Sequence, residues 1–215
     1  MGFDVAKYNQ ACIDYQANWE AVDRFLYSLC KTFPGHQRRD GVNAKLWIIG
    51  RTYATGIERR IESDGSQGSS MGKLADHLWA NRAEADRILN ILHGVREPLN
   101  TDKIATILSA HGRLLRLLQR ILKDQQSPRS FASKYLHFHN SAIPIFDNVA
   151  GLALNKLYRR DREFAAVTIP KVADGQYAHF FLRFWRLYEE ARSSRVRVSV
   201  KLLDNYLLTL AREAK

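Results

Sequence analysis

The chain is poor in cysteine, proline and acidic residues. Two cysteines in 215 residues rule out a disulfide framework, and neither Cys12 nor Cys30 has a second cysteine or a histidine at metal-ligand spacing. Both lie in helical patterns and read as reduced core thiols. No apolar run approaches the roughly 20 residues that a membrane span needs. The first residues, MGFDVAKYNQ, carry no apolar signal region and no twin arginine, so a cytoplasmic location is expected. Five prolines leave room for long helices, and the length suits one domain over residues 1–215.

Acid is scarce relative to base. Lys and Arg number 33 against 22 Asp and Glu, a formal net charge of +11. A basic globular chain is drawn to polyanions, to nucleic acid first and an anionic membrane surface second. With no membrane segment, nucleic acid is the expected partner, with DNA and RNA both open on charge alone.

Hydrophobic spacing predicts a mostly helical chain. Helices are expected over 14–31, 43–62, 73–93, from Thr101 through Leu122, and over 131–139, 148–158, 176–192 and 199–213. Lys45–Ile49 and Val196–Val200 each allow a short strand instead. The stretch SDGSQGSSMG at 63–72 reads as a flexible loop. The aromatics of 176–192 read as core. Without a sustained strand–helix alternation, the fold class is all-α.

The most informative segment is RSFASKYLHFHNSAIPIFDNVA, residues 129–150. A short helix carrying Lys134, His137 and His139 leads into an apolar turn at Pro144. Asp147 then stands where a helix begins, a natural N-cap position with unpaired backbone N–H groups. This arrangement over about 100–160 resembles the helix-hairpin-helix DNA glycosylase superfamily. It is also similar to a motif in bacterial proteins related to the 8-oxoguanine glycosylase fold. The resemblance implies a helical core, DNA as substrate and Asp147 as the carboxylate that stabilises an oxocarbenium ion. No cofactor is implied.

The chain departs from that family in three ways. The hairpin position, Lys123-Asp124-Gln125-Gln126-Ser127-Pro128, has no glycine for close phosphate approach. Arg129 falls near the place of the family's Schiff-base lysine, and an arginine stays protonated. Lys134, more than a turn further on, is not expected to replace it. The iron–sulfur cysteines are missing. Any excision chemistry is therefore expected to be monofunctional. The alternative is a catalytically silent binding module, of the kind a bacterial defence or mobile-element system would use.

His137 and His139 point about 200° apart on a helix and lack acidic company, so no metal is expected. His137 is instead a candidate acid/base partner for Asp147. Arg113, Arg116, Arg120 and Lys123 step by 3, 4 and 3 and share one helix face. Together with Arg129, Lys134 and Arg51 they are the expected phosphate contacts, and Tyr53 is a candidate for stacking on a base. Further arginines cluster at 159–162 and 183–197.

Overall fold

The computed structural model describes residues 2–61, 69–123, 127–158 and 167–213. Among them there are ten α-helices, one short 3₁₀ helix and no strand. The protein is all-α. The expected loop at 63–68 and the arginines at 159–162 lie outside the described residues. No helix among those described is long and apolar enough to cross a membrane.

The expected first helix is two. Helix α1 (Val5–Asn18) is capped by Asp4, whose side chain accepts from Lys7. Trp19 leaves helical geometry at φ −127°, and α2 (Glu20–Thr32) begins after it. The next is α3 (Arg39–Thr52); Lys45–Ile49 lies inside it and is not a strand. The chain then turns through Ala54 (φ 45°) and Gly56 (φ 63°) into the 3₁₀ helix Ile57–Arg60. Left-handed backbone at Gly56 is the kind only glycine adopts freely. Periodicity alone reads straight through this turn, which is why 43–62 looks continuous in sequence.

The pattern at 73–93 also divides, into α4 (Ser70–Ala80) and α5 (Arg82–Ile91). Ser69 and Ser70, counted in the expected loop, are the cap and first residue of α4. Helix α6 (Thr101–Gln119) is capped by Asn100. Helices α7 (Arg129–His139), α8 (Asn148–Leu157), α9 (Gly175–Ser193) and α10 (Val200–Arg212) follow. Residues 196–199 are the lead into α10, with Ser199 as its cap.

Helix α7 is the central strut. It packs against α2, α3 and α6, and every residue from Phe131 to Phe138 is buried. A helix covered on all sides cannot be amphipathic, and its polar residues must each find an internal partner. On the far side of the site α8 packs on α9 and α10. The aromatics of α9 serve the core: Tyr177, Phe180, Phe181, Phe184 and Tyr188 are all buried.

One close approach shapes the region behind α7. A Cβ at Gly112 of α6 would meet the Val172 carbonyl oxygen at 2.1 Å. Glycine there lets the 172–174 segment lie against α6. Next to it His111 stacks on Tyr177, ring centroids 3.7 Å apart, at the start of α9.

Candidate active site at the α7–α8 return

The residues from Asn140 to Phe146 reverse the chain between α7 and α8, and α7's own polar side chains hold the reversal. Ser133 Oγ accepts from the Phe146 N–H at 2.9 Å. His137 Nδ1 donates to the Ile143 carbonyl at 2.7 Å. The Asn140 carboxamide oxygen accepts from the Ala142 N–H, and Tyr177 OH donates to the Pro144 carbonyl at 2.8 Å. Four anchors over seven residues leave Asp147 little freedom.

Asp147 is the N-cap of α8: Oδ1 accepts from the Val149 N–H at 2.8 Å. Its other oxygen faces Lys134 Nζ at 3.3 Å. Lys134 is almost wholly buried, whereas 29% of the Asp147 side chain remains exposed. Nζ also donates to Ser130 Oγ at 2.9 Å and to the Tyr53 carbonyl at 3.3 Å. Three acceptors match the three N–H groups of an ammonium.

Two cavities meet at Asp147 and Asn148. One, about 580 Å³, is bordered by Tyr53, Arg59, Arg60, Ser130 and Lys134. The other, about 410 Å³, lies between α8 and α9, where Phe146 and Phe180 face Asn155, Gln176 and Arg183. The first is cationic and the second combines aromatic rings with amide and guanidinium groups. Both volumes fall within the roughly 300–1,000 Å³ typical of ligand sites.

Beneath the first cavity lies a second buried charge cluster. Tyr53 OH donates to Asp23 Oδ1 in a very short hydrogen bond. Lys201 Nζ reaches Tyr53 OH at 2.9 Å, Asp23 Oδ2 at 3.2 Å and Asp204 Oδ2 at 3.4 Å. Asp23 and Asp204 are buried. Burial pushes the Asp204 carboxyl up, against the pull of Lys201 and Lys134. Lys134 and Lys201 both approach the Tyr53 ring, at 5.5 and 5.1 Å from its centroid. Tyr53 is therefore a fixed part of the cavity floor, with a cation on its ring and its hydroxyl engaged. It does not present the free ring that stacking on a base requires.

The other expected site residues separate into groups. His137 does not border either cavity. It is fully buried, with Nδ1 on Ile143 and Nε2 2.5 Å from Tyr27 OH. Burial and the Lys201 charge push it down to about 3, so the ring is neutral and positions the return. Its partners are Ile143 and Tyr27, not Asp147. Arg129 pairs with Asp174 at 2.5 Å and sits at the cap of α9. Arg120 forms a two-pronged pair with Glu84 at 2.7 and 2.9 Å. Arg51 pairs with Glu58 and lies over the Trp47 ring. Arg113 and Arg116 are exposed on α6, where Arg113 touches Ser109.

Arg59 and Arg60 are not among the expected site residues, yet they border the cationic cavity. Arg60 Nη1 also donates to the Ser127 carbonyl at 3.3 Å, just before α7. The available signal was a pair of arginines shortly after Gly56, where the chain turns back. Comparisons with protein-family models, curated proteins and solved structures yield no match.

Proposed function

We propose that this protein binds nucleic acid across the cationic cavity and hydrolyses the N-glycosidic bond of an everted nucleotide at Asp147. The observation that carries this reading is the place of Asp147: a partly exposed carboxylate on the wall shared by two cavities of different chemistry. The backbone phosphates lie along Arg59 and Arg60. The base enters the α8–α9 cavity, where Phe146 offers a ring and Gln176 and Asn155 offer amides to a base edge. The bond to be broken then passes over Asp147.

In this reading the carboxylate stabilises the positive charge that develops on the sugar as the C1′–N bond breaks. Water adds at C1′, and the base leaves with a proton. Lys134 Nζ lies against Asp147 Oδ2 at 3.3 Å. The Nζ is almost wholly buried and held by three acceptors, Asp147, Ser130 and the Tyr53 carbonyl, so it is not free to attack C1′ and a water-based mechanism is preferred.

The test is a single-turnover assay on duplexes that each carry one damaged base. Free base and an alkali-labile abasic site are the expected products. Borohydride added during the reaction should trap no protein–DNA adduct. A trapped adduct that vanishes in Lys134→Gln would replace the hydrolytic reading with a lysine-based one.

A further inference from the structure

A separate cavity of about 680 Å³ opens at the other end of α7, where Phe138 and His139 border it in place of Ser130 and Lys134. The excision reading makes no use of it. Behind its lining residues Gly35, Asp86 and His139 lies a set of buried polar groups. Lys45, fully buried in α3, donates to the Phe33 and Gly35 carbonyls at 2.9 Å each and to His139 Nε2 at 3.3 Å. With Nε2 accepting, the His139 proton is on Nδ1. Burial, with the charge of Lys45, holds that ring neutral. Beside it His36 bridges the Asp86 carboxylate at 2.7 Å and Tyr135 OH at 2.8 Å. These bonds lock the α2–α3 turn against α5 and α7, so the wall is preformed.

The remaining surfaces have a consistent character. Tyr27 packs on Phe138 with centroids 5.1 Å apart, and both border the cavity. Lys31, His93 and Arg96 are exposed at its edge. Arg96 uses Nη1 on two carbonyls, of His93 and Val95, and keeps the rest of its fork. Lys31 makes no ion pair among the described residues. Asp86 is the one carboxylate on the lining among the described residues, and His36 and Gln37 already occupy it. The Tyr27 ring at the side, the His139 ring at the back and unneutralised cations at the mouth suit a planar ring that carries a phosphate.

We propose that this cavity binds a nucleoside monophosphate, with the base against Tyr27 and the phosphate on Lys31 and Arg96. The site stands apart from Asp147 and holds whether or not Asp147 cleaves a glycosidic bond.

Isothermal titration of the full chain with the four ribonucleoside 5′-monophosphates tests it. Guanosine, adenosine and inorganic phosphate serve as controls. At least one monophosphate is expected to bind in the micromolar range, with its nucleoside and free phosphate about tenfold weaker or more. Lys31→Glu and Arg96→Gln, both at exposed positions, are each expected to weaken binding at an unchanged melting temperature. Lys134→Gln is expected to leave it intact. No binding of any monophosphate below about 1 mM overturns the proposal. So does a nucleoside that binds as well as its phosphate, or binding that survives the double variant Lys31→Glu/Arg96→Gln. Loss of binding in Lys134→Gln alone would assign the nucleotide to the Asp147 cavity instead.

Discussion

Lys134 and Asp147 stand thirteen residues apart in the chain and face each other at 3.3 Å. The lysine is buried and the carboxylate is open to two cavities. Counting along the helix does not find this pair, because Lys134 lies five residues past the expected nucleophile position at Arg129. What brings them together is the return from Asn140 to Phe146, which sets the cap of α8 beside the second turn of α7.

The proposed excision chemistry gives Lys134 a functional part beside its structural one. Lys134→Met removes the buried partner of Asp147, Ser130 Oγ and the Tyr53 carbonyl. Stability is expected to fall by about 1–3 kcal/mol, read as a lower urea midpoint, and base release is expected to be lost. Retained base release would take Lys134 out of the account.

Buried neutral histidines set the acid limit of stability. Burial pushes His137 down to about 3, and His36 and His111 down to about 4. Each is depressed relative to the unfolded value near 6.5. Between those values the unfolded chain binds more protons than the folded one. The contribution is thus fully present above about pH 6.5 and is lost as pH falls towards 4 and then 3. The maximum slope is about 1.4 kcal/mol per pH unit for each histidine. Urea denaturation at pH 7, 6 and 5 should show a progressive loss, and His137→Gln should flatten it. A midpoint unchanged from pH 7 to 5 would contradict this.

The arginines divide into two kinds that salt can separate. Arg59 and Arg60 border the cationic cavity, so Arg59→Ala and Arg60→Ala should each lower the slope of log affinity against log salt by about 1. Arg129 and Arg120 are occupied by Asp174 and Glu84. Arg129→Gln should lower the melting temperature, because the partly buried Asp174 loses its partner, and should leave the salt slope unchanged. Equal effects from both groups would place the DNA path elsewhere.

The cluster beneath the cavity gives a test of positioning. Tyr53→Phe removes the hydroxyl that joins Asp23 to Lys201 while keeping the ring and the carbonyl that holds Lys134. Base release should slow by about tenfold with little change in DNA affinity, since the backbone contacts remain. The split between rate and affinity distinguishes this from general destabilisation, which would lower both.

The helical class and most of the core were legible because they rest on periodicity, which survives in a single sequence. Asp147 as a cap was legible for the same reason: capping is local. What was not legible is tertiary. The breaks at Trp19 and Gly56 leave the hydrophobic pattern intact, so two expected helices are longer than the real ones. The arginine stripe on α6 read as one surface, but Glu84 from α5 takes Arg120. His137 sits near Asp147 in sequence, yet it turns to Ile143 and Tyr27. Lys45 has no local sign of burial in the sequence and is fully buried, because the α2–α3 turn supplies two carbonyls to receive it.

The most direct measurement is single-turnover base release from the lesion panel by the wild-type protein and Asp147→Asn. Asparagine caps a helix about as well as aspartate, so α8 and the melting temperature should be kept, along with DNA affinity. The account predicts free base from the wild type and a loss of about 10²-fold or more in Asp147→Asn. Release at an unchanged rate in the variant, or no release by the wild type from any duplex it binds, would contradict it.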